Sequence, residues 1–163
     1  MENSNHFNVI VIGAGISGIG AGYYLKKNCP NKSFCIIEGR ENIGGTWDLF
    51  KYPGIRSDSD MFTLGYAFKP WKEQKTIANG PSILNYLEET VEENNLREKI
   101  KFSHKVLSAN WNSGSQKWEV RAAHHEQDIL LTANFLFMGT GYYNYDEGYT
   151  PDFNDLNKYE GKL

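Results

Sequence analysis

The residues of this sequence best suited to chemistry are three glycines, Gly13, Gly15 and Gly18, and an acid, Glu38, that lies 20 positions after the last of them. In a G-x-G-x-x-G string the first glycine permits a tight turn and the second lets backbone approach a pyrophosphate. The third lets a helix pack closely on a strand. A carboxylate at the Glu38 spacing accepts hydrogen bonds from ribose hydroxyls, while the phosphates sit at the helix N-terminus. The pattern therefore points to an adenine dinucleotide, and FAD and NAD fit it equally, because both present an adenosine ribose and a pyrophosphate. Glu38 would repel a 2′-phosphate, which argues against NADP at this position. Arg40, two residues on, would partly offset that repulsion, although by itself it reads better as a solvated surface cation.

The elements needed to position these residues are legible on either side of them. Phe7 to Ile12 is a nearly continuous apolar run rich in β-branched side chains, short enough for a strand buried on both faces. After the glycines, Ile16, Ile19, Tyr23 and Tyr24 recur at helical spacing until Asn28-Cys29-Pro30 ends the pattern. Ser33 to Glu38 reads as a second buried strand with the acid at its C-terminal end, completing a βαβ unit.

From Gly39 to Asn79 the glycines and prolines predict irregular structure, with at most a short helix near Asp60 to Ala67. Long loops of this kind usually carry function. Gly80-Pro81 then opens a helix running through Glu93, with Ile83, Leu84, Leu87, Val91 and Leu96 on one face. Its acids Glu88, Glu89, Glu92 and Glu93 read as a solvated outer face. Lys101 to Ser103, Lys105 to Trp111 and Lys117 to Ala122 are expected to be strands, the latter two joined by the turn cluster at Asn112-Ser113-Gly114-Ser115. Ala133 to Met138 is a further apolar strand, ended by Gly139-Thr140-Gly141 where a parallel sheet presents its C-terminal edge. The expected fold class is α/β: a Rossmann-like parallel sheet with a glycine-rich βαβ unit and a small antiparallel meander.

Composition narrows the remaining choices. At 163 residues the chain has room for one domain with its own core, and 40% hydrophobic against 23% charged residues is the balance of a folded globular chain, not a disordered one. A net charge of −3 gives no basic field for nucleic acid. No apolar run approaches the length of a membrane span, and the polar start Met1-Glu2-Asn3-Ser4-Asn5 lacks the basic region of a signal peptide, so the chain reads as cytoplasmic. Cys29 and Cys35 fit no disulfide framework, redox pair or metal spacing, and read as inert packing thiols.

Three stretches carry a more specific likeness: Gly44-Gly45-Thr46-Trp47, Tyr52-Pro53-Gly54-x-Arg56-x-Asp58, and Gly139-Thr140-Gly141-Tyr142. Together they resemble the FAD-binding part of Baeyer–Villiger and related flavin-containing monooxygenases, and within these the ethionamide-activating type, over essentially the whole chain. The resemblance implies that Gly13, Gly15, Ser17 and Gly18 cradle the FAD pyrophosphate and that Glu38 holds the adenosine ribose. It further implies that Gly45, Thr46 and Trp47 lie along the flavin, that the backbone of Val106 meets the adenine, and that Gly141 contacts the cofactor. Asp58 would sit near flavin and nicotinamide as a catalytic residue paired with the family's arginine, and Arg56 would be a neighbouring cofactor contact. A buried Asp58 would need such a cationic partner. Without the resemblance, core packing is the lesser alternative for Trp47, and Asp58, within Ser57-Asp58-Ser59-Asp60, reads equally as a helix N-cap. The tyrosines from Tyr142 to Tyr149 carry no derivable chemistry and read as packing and surface.

In the complete family NADPH reduces FAD, oxygen adds at the flavin C4a, and the resulting peroxide attacks a carbonyl or a soft heteroatom. Tyr159-Glu160-Gly161-Lys162-Leu163 matches the opening of the family signature, with Tyr where Phe is usual, and no second G-x-G-x-x-G occurs from Lys51 onward. The expectation is that residues 1–163 form an FAD-binding domain lacking the NADPH site, inactive alone. Its partners would be FAD and either the missing NADPH and substrate domain or a second copy, bound through apolar surface on the last strand and the 142–163 tail. A non-catalytic FAD-binding module remains as an alternative. A flavin disulfide reductase or NAD-dependent dehydrogenase fragment is disfavoured, since no cysteine pair follows the second strand.

Overall fold

The computed structural model describes residues 5–145, 147–149 and 151–162. Asp146 of the tyrosine-rich stretch and the terminal Leu163 thus lie outside the described residues. The βαβ unit forms as expected: β1 (His6–Ile12), α1 (Ile16–Asn28) and β2 (Phe34–Ile37) run strand, helix, strand, with β1 and β2 parallel and in register from Val9 opposite Phe34 to Ile12 opposite Ile37. Alternation across the pleat splits their apolar side chains between two cores. Val11, Phe34 and Ile36 face the helices, while Ile10, Ile12, Cys35 and Ile37 face the opposite side with Val120, Leu131 and Ala133. Burial pushes the Cys35 thiol up to about 12, against a smaller opposing pull from Lys101, so it stays protonated and inert.

The loop after β2 holds two single helical turns, α2 (Thr46–Leu49) and α3 (Met61–Leu64). The first has no counterpart in the sequence reading, because one turn generates no periodicity. The second is shorter than Asp60–Ala67. Its N-cap is Asp60, whose carboxylate accepts from the Thr63 backbone and hydroxyl, both at 3.0 Å; Asp58 plays no capping role. These bonds hold the Asp60 carboxyl below its usual range. Residues 55–57 lie beside 78–80, with Ser57 N–H donating to Ala78 O at 2.9 Å and Gly80 N–H to Ile55 O at 3.0 Å, which returns the loop to the start of the next helix.

That helix, α4 (Gly80–Glu93), has the expected bounds. Asn79 caps it by accepting from Ser82 N–H at 2.8 Å. Ile83, Leu87, Val91 and Leu96 are buried, joined by Tyr86 and Thr90, whereas Leu84 is only half-buried beside Gly44. The acids form a solvated face crossed by ion pairs from Arg97 to Glu88 and Glu92 and from Lys69 to Glu89 and Glu93. On α1 only Ile19 among the expected apolar positions is fully buried, while Tyr24 is exposed. The helix packs instead through Gly20 against Tyr66 and Gly22 against Ile36.

β3 (Ile100–Lys101), β4 (His104–Asn112), β5 (Lys117–His124) and β6 (Gln127–Met138) complete one sheet in the order β3-β2-β1-β6-β5-β4. β3, β2, β1 and β6 are mutually parallel, and the antiparallel meander is β6-β5-β4, so the strand expected at Lys101–Ser103 joins the parallel sheet as β3 and the meander takes β6 as its third strand. The strand read at Ala133–Met138 is the second half of the 12-residue β6. It is not a buried strand. Phe135 and Phe137 are exposed, because α1 and α4 pack chiefly over β1 and β2 on that face of the sheet, whereas Met138, on the opposite face, is exposed where it lines the mouth of the cleft described below. The tail carries further exposed aromatic side chains, Tyr142, Tyr149, Phe153 and Tyr159.

Candidate functional site

A cleft of about 820 Å³ opens at the C-terminal ends of β1, β2 and β6. From β1 the chain passes to β2 on one side, while β6 lies on the other, so the cleft occupies a topological switch point, where open α/β sheets bind ligands. A second groove of about 600 Å³ runs over Val9, Tyr24, Leu25, Phe135 and Phe137, but its walls are largely apolar, with Ser17 and Asn28 as their polar members.

The glycine turn shapes the floor of the cleft. Gly13 has φ +98°, and a side chain there would run into the Gly139 carbonyl; a Cβ on Gly18 would collide with the Gly13 carbonyl. The turn is pinned by Gly13 N–H to Ile37 O at 2.7 Å and Gly44 N–H to Ala14 O at 2.9 Å. α1 begins at Gly15 with no side-chain cap and no acid in its first turn, so its N-terminal N–H groups and positive dipole end are left for an anion. Ser17 is exposed at this end. Gly15 and Gly45 face one another there, and a Cβ on either would meet the Cα of the other, at 3.6 and 3.1 Å. A pyrophosphate needs such a bare backbone cradle.

At the end of β2, Glu38 is buried. Its Oε2 accepts from Ala14 N–H at 2.8 Å and its Oε1 from Arg40 N–H at 3.0 Å. A carboxylate has about four acceptor positions, so capacity for ribose hydroxyls remains. Arg40 is not the solvated cation expected from sequence. Its guanidinium lies 3.5 Å from Glu38, 3.1 Å from Asp48 Oδ2 and 2.9 Å from the Gly45 carbonyl. Thr46 and Trp47 follow on α2, both half-buried, and Trp47 lines the cleft while packing on the core, so the two readings of this residue hold together.

The β4 side contributes His104, Lys105 and Val106. The His104 ring stacks on His124 at 4.1 Å and approaches Phe102 O at 2.6 Å; partial burial, more than the neighbouring cations, lowers its pKa. Beyond β6, Gly141 joins the lining with Tyr143 and Tyr145, whose rings pack edge-on against Phe50 at 6.2 and 6.0 Å. The tyrosine stretch is therefore partly surface, as read, and partly wall.

The cleft thus brings together Gly13, Gly15, Ser17, Glu38, Gly45, Thr46, Trp47, Val106 and Gly141. Gly18 lies buried beneath the turn and does not line it. Arg56 and Asp58 do not line it either. Asp58 is exposed and forms no ion pair among the described residues; the loop carries it at the surface, its charge felt by Tyr143. Sequence reasoning missed Asp48, His104, Lys105, Tyr143 and Tyr145, and misjudged Arg40. For Arg40 the signal was present in the acid eight residues later, which a one-turn helix swings back beneath it. Among the described residues no three His, Cys, Asp or Glu groups could hold a metal, and no helix is long and apolar enough to cross a membrane.

A family model described as an NAD(P)-binding Rossmann-like domain matches residues 11–73, the βαβ unit and the loop after it. The FAD-containing monooxygenase EthA of Mycolicibacterium smegmatis is 50% identical over 160 residues, covering 98% of this chain and 32% of its own length. Over almost its whole length the chain is thus similar to about a third of a protein named as an FAD-containing monooxygenase. A probable FAD-binding monooxygenase, AlmA of Acinetobacter baylyi, is 52% identical over 97% of this chain and 32% of its own. Solved monooxygenases share the fold. An oxidized steroid monooxygenase bound to NADP superposes with a TM-score of 0.78 at 29% identity, over 93% of this chain and 29% of the other. A closed cyclohexanone monooxygenase gives 0.76 at 28% identity, over 98% and 30%. The chain spans about a third of the length of the curated monooxygenases it matches.

Proposed function

We propose that residues 1–163 form the FAD-binding domain of an NADPH- and O₂-dependent flavoprotein monooxygenase, one that oxidises ketones in the Baeyer–Villiger manner or soft heteroatoms such as sulfur. The observation that carries this reading is the pairing, within one cleft, of an uncapped helix N-terminus at Gly15 with a buried acid at Glu38. The first suits a pyrophosphate and the second an adenosine ribose. The relatives' names supply the choice of FAD over NAD, and the bare backbone between Gly15 and Gly45 fits a bulky dinucleotide.

In this reading Gly13, Gly15 and Ser17 hold the pyrophosphate, with Gly18 supporting the turn from below. Glu38 binds the ribose, and Val106 bounds the adenine. Gly45, Thr46, Trp47 and Gly141 border the flavin portion. FAD held by these residues would supply the redox chemistry that links NADPH to dioxygen. The chain's own residues bind and orient it and exclude water around it. Arg56 and the catalytic Asp58 are assigned to the side where flavin and nicotinamide meet, on the strength of the motif Tyr52-Pro53-Gly54-x-Arg56-x-Asp58. The exposed carboxylate of Asp58 would there pair with a cation outside this domain. NADPH and substrate would be held by a further domain, and the reading places the protein in the cytoplasm, where NADPH is supplied.

The test is a visible absorbance titration of the purified chain with FAD. Stoichiometric flavin binding without NADPH oxidation is the expected result. A chain that takes up NAD and no flavin would overturn the assignment.

A further inference from the structure

The Arg40 guanidinium lies in the wall of the cleft, with Nε 3.5 Å from the Glu38 carboxylate that the proposed function assigns to the adenosine ribose. A cation in this place is what a ribose 2′-phosphate would require. Yet both terminal nitrogens of Arg40 are already engaged. Nη1 bonds Asp48 Oδ2 at 3.1 Å and Nη2 bonds the Gly45 carbonyl at 2.9 Å. The side chains of Glu38 and Asp48 are only 9% and 13% exposed, so little water screens the contacts that hold the guanidinium between them. One guanidinium against two carboxylates also leaves the cluster with a net negative charge, which a second phosphate would meet at close range.

Asp48 stands in the first turn of α2, but that helix is four residues long and offers little dipole to stabilise an acid. Its partner is Arg40. We propose that Asp48, by holding Arg40, is the specificity-determining residue that keeps the adenosine end of this cleft closed to a 2′-phosphate. The proposal rests on the reading of the cleft as an adenine-dinucleotide site and deepens it. A monooxygenase that uses both FAD and NADPH must keep the second nucleotide out of the first one's site, and the two differ at the adenosine end by this phosphate. Asp48 acts through Arg40 and is a positioning residue; it touches no ligand in this scheme.

The experiment measures, by titration calorimetry on the purified full chain, the Kd of ADP and of ADP carrying a 2′-phosphate. The unaltered chain should prefer ADP. Asp48→Ala, which releases the guanidinium, should narrow that preference about tenfold, the order expected for one charge-assisted hydrogen bond. Asp48→Asn, which keeps an acceptor but no charge, should narrow it less. The double variant Asp48→Ala with Arg40→Gln should lose the gain, which a general loosening of the loop would leave in place. An unchanged ratio in a folded Asp48→Ala chain overturns the proposal while leaving the dinucleotide reading intact; if that variant does not fold, an unchanged ratio in Asp48→Asn does the same. Failure of the unaltered chain to bind either nucleotide overturns the dinucleotide reading and this inference with it.

Discussion

The Glu38 carboxylate accepts the backbone N–H of Ala14 at 2.8 Å, joining the end of β2 to the glycine turn that follows β1. The backbone of the same residue receives His104 N–H and donates to Lys101 O, both at 2.9 Å, so Glu38 fastens the start of the meander as well. Its position is therefore fixed before any ligand arrives, which lowers the cost of ordering a ribose contact. Glu38→Gln, similar in shape but uncharged, should weaken FAD binding about tenfold or more and destabilise the chain by roughly 1–3 kcal/mol. Flavin titration and urea denaturation read the two effects separately.

The close approach of Gly18 to the Gly13 carbonyl makes a second prediction. A methyl group there cannot be absorbed by side-chain movement, because the obstacle is backbone. Gly18→Ala should cost about 1–3 kcal/mol or more. Gly148→Ala, at a position with nothing within 4 Å, should stay within about 0.5 kcal/mol of the parent. Parallel denaturation curves of the two variants make the comparison, and equal losses would show that the turn is not the constrained element.

The uncovered half of β6 should make the isolated chain self-associate. Phe135 is 60% exposed, with Phe137 exposed on the same face of the strand. Phe135→Thr keeps a strand-compatible residue and removes the apolar face. Concentration-dependent light scattering should fall while stability changes by no more than about 0.5 kcal/mol. Unchanged scattering would move the adhesive surface elsewhere, to the tyrosine-rich tail.

Stability should also fall on mild acidification. Partial burial beside His124 depresses the His104 pKa in the folded chain, so the unfolded chain binds the proton more readily. The contribution is fully present above the ordinary value near 6.5, and is lost as pH falls from there through the lower folded value. Denaturation midpoints on either side of this window should differ, and His104→Gln should flatten the dependence. The same slope in the variant would assign the effect to other groups.

Much of the scaffold was legible because it rests on local signals. The βαβ unit follows from a β-branched run, a glycine string and Pro30, and α4 from Gly80-Pro81 and one apolar face, so both emerged with nearly correct bounds. The loop from Gly39 to Asn79 was legible only as a loop. Its order comes from contacts between distant segments, such as Tyr86 Oη accepting from Tyr66 N–H at 2.7 Å and donating to Lys69 O at 2.6 Å, and these leave no periodic trace. Burial was the weakest inference. Phe135 and Phe137 look like core in the sequence, yet a strand residue is covered only if another element lies over it.

The sequence by itself determined the class of ligand at the heart of the site, because a glycine turn, a helix start and an acid at fixed spacing act through backbone geometry set within some thirty residues. Only the tertiary structure decided which further groups join them. Arg40, held by Asp48 of a one-turn helix, His104 at the start of a hairpin and Tyr143 beyond a strand end reach the cleft from different parts of the chain. It also decided that Asp58 stays outside. The physical reason is that spacing along a chain fixes distance only across a turn or a helix, whereas charge pairing and burial depend on what packing brings from elsewhere.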